Sequence, residues 1–312
     1  MHVEEQIVDK EECIALEETA ETPVEIALED GRGKSVFSVD GSALIWKRKS
    51  ETLRIELWGQ DSFRVRATKA HALADVPGAL EEEPLHNSAS IDITDTMATL
   101  VNGACRAIVH ADGHVRFEHA HTGALLCEET ADRPFFPHCR AFEKKNGHTF
   151  QTTLRIQARK GEKFYGLGQH QHGLLNQKGC TIDIFHHNTE YCIPFMVSNR
   201  RYGFLWNHPG TGRVELSNNG TRWCADAARQ IDYWISAGDT YADILKNYTD
   251  VTGKPSLMPE WVTGFWQSKL RYKSQKEVLD IAREHVRRKI PLDVIVIDYY
   301  HWTANGDWQF DP

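Results

Sequence analysis

One carboxylate follows directly on an apolar run and opens an aromatic segment. Asp298 succeeds Leu292 to Ile297 (LDVIVI) and precedes Tyr299, Tyr300, His301 and Trp302, with Asp307 and Trp308 close behind. A carboxylate accepts hydrogen bonds from hydroxyl groups, and aromatic faces stack on the apolar faces of sugar rings, so this set suits a polyhydroxylated ligand. The same residue types have plainer uses. Aspartate caps helices and turns, and aromatic rings mostly pack cores. Placement favours a pocket, because the rings follow a strand end and are interleaved with polar groups. Other chemistry-bearing residues carry less. The pairs His186-His187 and His170-x-His172, among sixteen histidines, read as polar loop or strand positions rather than metal ligands. Gly166 and Gly168 lack the GxGxxG spacing and a following helix signal, which argues against a phosphate loop. Seven cysteines, an odd number at wide spacing with no CxxC, fit reduced thiols and no zinc site.

Asp298 can serve a pocket only if a parallel βαβ unit presents it. The sequence predicts one. Trp261 to Trp266 (WVTGFW) is a candidate buried strand. Ser274 and Glu277 have capping-box spacing, in which the hydroxyl accepts the Glu277 amide and the carboxylate returns a bond to the cap. The helix is expected to run to about Lys289, with Val278, Ile281, Ala282 and Val286 as its apolar stripe and Arg283, Glu284, Arg287 and Arg288 facing water. Ile290-Pro291 stops it, and the nearly continuous apolar run Leu292 to Ile297 reads as a strand buried on both faces. The carboxyl edge of such a sheet is where (β/α)8 barrels build their sites.

Upstream, from about 35 to 255, the pattern is one of short antiparallel strands. Leu53, Ile55 and Leu57 alternate with Arg54 and Glu56, Phe63, Val65 and Ala67 alternate with Arg64 and Arg66, and Leu154 and Ile156 flank Arg155. Asn102-Gly103, Asp112-Gly113, Asn146-Gly147 and Asn219-Gly220 are turn signals between them. A β-sandwich follows from this pattern. Thr240 to Thr252 predicts a short helix, and Gly253-Lys254-Pro255 breaks it. The expected organisation is an acidic tail over 1–34, a sandwich over 35–255 and the start of a barrel over 256–312. The net charge of −8 argues against a nucleic-acid partner. No apolar run reaches membrane-spanning length, and the acidic start lacks a signal-peptide pattern, so a cytoplasmic location is expected.

The segment Phe164 to Gly179 (FYGLGQHQHGLLNQKG) resembles a signature of the N-terminal domain of glycoside hydrolase family 31. So do Asn188-Thr189-Glu190, Ile193-Pro194-Phe195, Tyr202 to Asn207, and His208-Pro209. The order continues in that family's manner through Pro255 and Pro259, Gly264-Phe265-Trp266, Arg271-Tyr272, Ile290 to Val294, Asp298, and Trp308-x-Phe310-Asp311-Pro312. The resemblance implies a galactose mutarotase-like antiparallel sandwich followed by a (β/α)8 barrel, here reaching only its first βαβ unit. It implies retaining hydrolysis of α-linked sugars by two aspartates, whose carboxyl groups must lie about 5 Å apart. Both aspartates are expected beyond Pro312, leaving no catalytic residue within the chain. By the same resemblance Asp298 binds hydroxyls of the sugar, Tyr299 and Tyr300 wall the pocket, and Trp266 and Trp302 are further candidates. The expected partner is a small α-linked oligosaccharide, with no cofactor and no metal, and a homo-oligomer is compatible with the sequence. The alternative is a non-hydrolytic, sugar-binding or mutarotase-like sandwich, for which His170, His172 and Glu190 would have to converge.

Overall fold

The computed structural model describes residues 36–76, 78–81, 90–131, 135, 137–147, 149–298, 301–304 and 306–310. The expected acidic tail therefore lies outside the described residues, as do Tyr299 and Tyr300. Two compact units meet between Gly253 and Lys254.

In the first unit, β1 (Phe37–Asp40), β2 (Ala43–Arg48), β3 (Glu51–Leu57) and β4 (Ser62–Thr68) form an antiparallel meander. A second meander, β5 (Ser90–Ile93), β6 (Met97–Asn102), β7 (Cys105–His110), β8 (Val115–His119) and β9 (Leu125–Glu128), makes a sheet of its own. The chain then alternates between sheets. β10 (Arg140–Lys144), β11 (Phe150–Ile156), β13 (Thr181–Ile184), β16 (Gly212–Ser217) and β17 (Gly220–Ala228) pair in the order β10-β11-β17-β16-β13. Between them, β12 (Phe164–Gln169), β14 (Tyr191–Ser198), β15 (Tyr202–Trp206) and β18 (Ile231–Ala237) extend the first meander to eight strands, in the order β1-β2-β3-β4-β18-β15-β14-β12. The four predicted turn dipeptides link β6 to β7, β7 to β8, β10 to β11 and β16 to β17.

One core joins the three sheets. Leu53 and Ile55, Leu100 and Val109, and Leu154, Val214 and Trp223 all belong to it. The expected period of two holds in β3, where Leu53, Ile55 and Leu57 are fully buried. It fails in β15 and β18, which are buried at every position. The reason is a cover on the other face. Tyr202, Phe204 and Trp206 point into the sandwich core, while Leu205 and Trp234 join Phe195, Val197, Ile244 and Val251 in a second cluster. Ile244 and Val251 come from α1 (Tyr241–Thr252), whose Thr240 and Asp243 form a complete capping box. Arg64 is likewise not solvent-facing. Its guanidinium makes a bidentate pair with Asp232 at 2.7 and 3.1 Å, both side chains 4% exposed.

In the second unit, β19 (Trp266–Lys269) pairs in parallel with β20 (Val294–Ile297) across α2 (Gln275–Arg288). Three local expectations need correction. Glu260 to Thr263 form a 3-10 turn, so the first strand starts only at Trp266. Ser274 caps the Glu277 amide, but Glu277 bonds the Lys273 amide at 2.7 Å, and with it Lys269 at 2.6 Å, instead of closing the box. Val286 is 78% exposed, while Val278, Ile281, Ala282 and His285 are half-buried. Positions 278, 281, 282 and 285 follow the i, i+3, i+4, i+7 spacing, and Val286, at i+8, lies at the edge of the stripe.

Candidate functional site

The parallel register fixes which residues share an edge. Trp266 pairs with Val294 at the amino end, and Lys269 with Ile297 at the carboxyl end. The amino end is locked by Asp293, whose amide donates to the Phe265 carbonyl at 3.0 Å and whose carboxylate accepts the Phe265 amide at 2.9 Å. A β-carbon on Gly264 would fall 2.1 Å from that carboxylate, which is why glycine stands there. The carboxyl end carries Asp298, half-buried, immediately after β20.

Among the described residues after Asp298, the rings of His301, Trp302, Trp308 and Phe310 contact one another. The His301 ring turns Nδ1 toward the Asp298 carbonyl at 3.3 Å and lies 5.0 Å from Trp302 and 6.2 Å from Phe310. Trp302 meets Trp308 edge-on at 5.4 Å. The Trp302 indole N–H is enclosed and has no acceptor among the described residues. Asp307 serves a turn, accepting from the Thr303 hydroxyl at 2.8 Å. Trp266 is set apart from this group: its strand partner Val294 lies four residues, or about 13 Å of strand rise, before Asp298. Its ring stacks on Trp261 at 6.2 Å, and its N–H is spent on the Val262 carbonyl at 3.1 Å.

The carboxyl edge also holds residues that the sequence reading did not count among its site candidates. Buried Tyr272 follows β19, accepts from Gln267 at 3.3 Å and lies 5.7 Å beneath the Lys269 ammonium. Glu277 holds that ammonium and is itself kept below the usual carboxylate range, first by this hydrogen bond. Their signal was the placement of Lys269 to Tyr272 at the end of the first strand, which a boundary drawn at Trp266 obscured.

A second constellation lies in the sandwich. Glu190 sits 3.1 Å from both His170 Nδ1 and His187 Nε2 and accepts the Gln171 amide at 3.2 Å. Its carboxyl group is held low, chiefly by His170. The other His170 nitrogen faces the Leu167 carbonyl at 2.8 Å, and the His172 ring stacks on His170 at 5.7 Å. Convergence of His170 and Glu190 is thus real, while His172 is engaged through its ring face and, at Nδ1, the Leu174 amide. The shape comes from three successive positive-φ residues, Gly166, Leu167 and Gly168, which bulge the β12–β14 ladder.

Residues 52–215 match the N-terminal galactose mutarotase-like domain of glycosyl hydrolase 31, and residues 255–312 match the family's TIM-barrel domain. The chain is 37% identical over 296 residues to an uncharacterized family 31 glucosidase from Pseudescherichia vulneris, covering 87% of this chain and 54% of that protein. It is 30% identical over 311 residues to alpha-xylosidase A of Aspergillus niger, covering 92% and 42%. A family 31 alpha-xylosidase from a soil metagenome, solved with xylose, superposes with a TM-score of 0.83 at 38% identity, covering 89% of this chain and 43% of that one. The chain thus spans about half the length of these relatives. A mutarotase-like sandwich and a TIM-barrel segment, matched in order along one polypeptide, place the chain in glycoside hydrolase family 31.

Proposed function

We propose that the chain supplies the sandwich and the first sugar-contacting edge of a retaining α-glycosidase acting on small α-xylosides or α-glucosides. The observation that carries this reading is Asp298 at the carboxyl end of a parallel β-α-β unit, beside His301 and Trp302. Its carboxylate accepts hydrogen bonds from hydroxyls of the bound sugar, and Trp302 offers a ring face. Tyr299 and Tyr300 directly follow Asp298 in sequence and are assigned as further sugar contacts on the resemblance alone, and Trp266 begins the neighbouring strand. On this reading, the family resemblance assigns the nucleophile and the acid/base to later barrel strands. A barrel needs about 250 residues, and the barrel match spans only 255–312. Free thiols at Cys105, Cys127, Cys139, Cys180, Cys192 and Cys224 support a reducing, cytoplasmic setting. Among the described residues no helix is long and apolar enough to cross a membrane.

The test is hydrolysis of aryl α-xyloside and aryl α-glucoside by the chain extended through a complete barrel, with the product anomer read by NMR. Retention with one of these substrates supports the reading. Inactivity on both, in a folded protein, counts against it.

A second reading, a sugar-binding or mutarotase-like sandwich, is favoured by the contact between Glu190 and His170. Monosaccharide titration of the 312-residue chain, with anomer interconversion followed by polarimetry, separates the two, because only the sandwich reading expects a response lost in Glu190→Gln.

A further inference from the structure

Two segments of the sandwich, the bulge in β12 and the turn before β14, are held in backbone conformations that their residues disfavour. Leu167, fully buried, has a φ of +68°, and Thr189, a β-branched residue, has a φ of +73°. A side chain in that left-handed region crowds its own backbone, so each position persists only where neighbours fix it. One histidine reaches both segments. His170 turns Nε2 to the Leu167 carbonyl at 2.8 Å and Nδ1 to the Glu190 carboxylate at 3.1 Å, with its side chain only 6% exposed. Gln171 ties the same segments, its backbone amide donating to Glu190 at 3.2 Å and its side-chain amide to the Thr189 hydroxyl at 2.5 Å.

Both partners of His170 are acceptors. A carbonyl oxygen has no proton to give, and Glu190 has none while it is ionised. The Glu190 carboxyl group is held below the usual range, first by the His170 hydrogen bond and then by the Gln171 amide, which keeps it ionised at neutral pH. A neutral imidazole carries one N–H and serves one acceptor, whereas the imidazolium carries two and serves both. Two further histidines face this pair. His187 Nε2 lies 3.1 Å from the same Glu190 oxygen, and the His172 ring stacks on His170 at 5.7 Å.

We infer that His170 is a doubly protonated clamp between the β12 bulge and the turn at 187–190, and that its deprotonation is a pH switch that releases the bulge. The bonds are complete while the proton is on. As pH rises and the proton leaves to solvent, one ring nitrogen turns a lone pair toward an acceptor. That contact becomes repulsive, and either Leu167 or Glu190 is let go. The inference is independent of the glycosidase reading.

The test is amide hydrogen exchange on the full chain between about pH 5 and pH 8, where histidine changes charge, with rates corrected for the intrinsic pH dependence of exchange. Protection of the amides at 167–171 should fall several-fold toward the upper end, as loss of one hydrogen bond implies, while protection in β15 holds and reports an intact fold. His170→Gln, which offers donors without a titrating charge, should abolish the fall. His172→Gln, which removes only the stacked ring, should keep it. Nitrogen NMR of the wild-type ring reads the proton directly, with two protonated nitrogens where protection is high and one where it is low. Protection that stays level in the wild type, a fall that survives in His170→Gln or vanishes in His172→Gln, or a singly protonated ring while protection is still high overturns the assignment.

Discussion

Phe195 and Tyr248 stack face to face, their ring centroids 3.8 Å apart and their planes 7° from parallel. One ring belongs to β14 and the other to α1, so the pair fastens the helix to the outer face of the eight-stranded sheet. That face would otherwise expose Leu205 and Trp234, which are fully buried. The anchor below the stack is Ile244, also fully buried. Ile244→Ala should destabilise the sandwich by about 2–5 kcal/mol, the range for truncating a buried isoleucine. Urea unfolding measures it, and a loss under about 1 kcal/mol would mean the helix is peripheral.

Gly168 and Gly173 both have positive φ, +98° and +71°, but only one is hemmed in. A β-carbon on Gly168 would lie 2.0 Å from the Tyr191 carbonyl oxygen, whereas one on Gly173 meets nothing within 4 Å. Gly173→Ala should cost about 1–2 kcal/mol, the conformational penalty alone. Gly168→Ala should cost clearly more and should separate His170 from Glu190, which histidine NMR shifts would report. Equal losses in thermal midpoint would remove the steric argument.

His208 and His110 are both pushed below the ordinary histidine range, chiefly by burial. His208 Nδ1 accepts the Gly210 amide at 2.8 Å, a bond that a protonated nitrogen cannot accept. Their folded values therefore lie below the unfolded value of about 6.5. The associated stability is complete above pH 6.5 and declines as pH falls through the folded values, because the unfolded chain takes up protons first. The thermal midpoint should drop from pH 7 toward pH 5, and less steeply in His208→Gln. A midpoint flat across that window would contradict this account.

Asp298→Asn, placed in a protein with a complete barrel, should lower kcat/KM for an aryl α-xyloside by roughly 10- to 100-fold, since a hydrogen bond to a charged group contributes about 1.5–3 kcal/mol. The melting temperature should stay within about 2 °C, because the side chain is half-buried at a strand end. Unchanged kinetics would remove Asp298 from the sugar site.

Much of the frame could be read from local pattern. Four glycine turns, the alternation in β3 and the Ser274 cap are short-range signals, and each maps to the element it implied. Tertiary context hid the rest. β15 and β18 look like half-buried strands until α1 covers them. Glu277 abandons the capping box because Lys269, eight residues earlier, competes for its carboxylate. The meeting of Glu190 with His170 depends on a bulge that brings strands together across twenty residues. At the candidate sugar site, the aromatic cluster was legible from composition, whereas the distance of Trp266 from Asp298 needed the strand register.

The pairing of β4 with β18 has a consequence for how the molecule is made. Arg64 waits for Asp232, 168 positions later, before its charge is neutralised and its strand gains its second neighbour. On the ribosome the first four strands emerge long before that partner exists, with one backbone edge open. Closing so long a loop slows the folding step and prolongs exposure of the nascent edge. Expression should therefore respond more to chaperone supply and growth temperature than to changes in the short hairpins, and a ribosome stall placed before residue 237 should leave the eight-stranded sheet protease-sensitive.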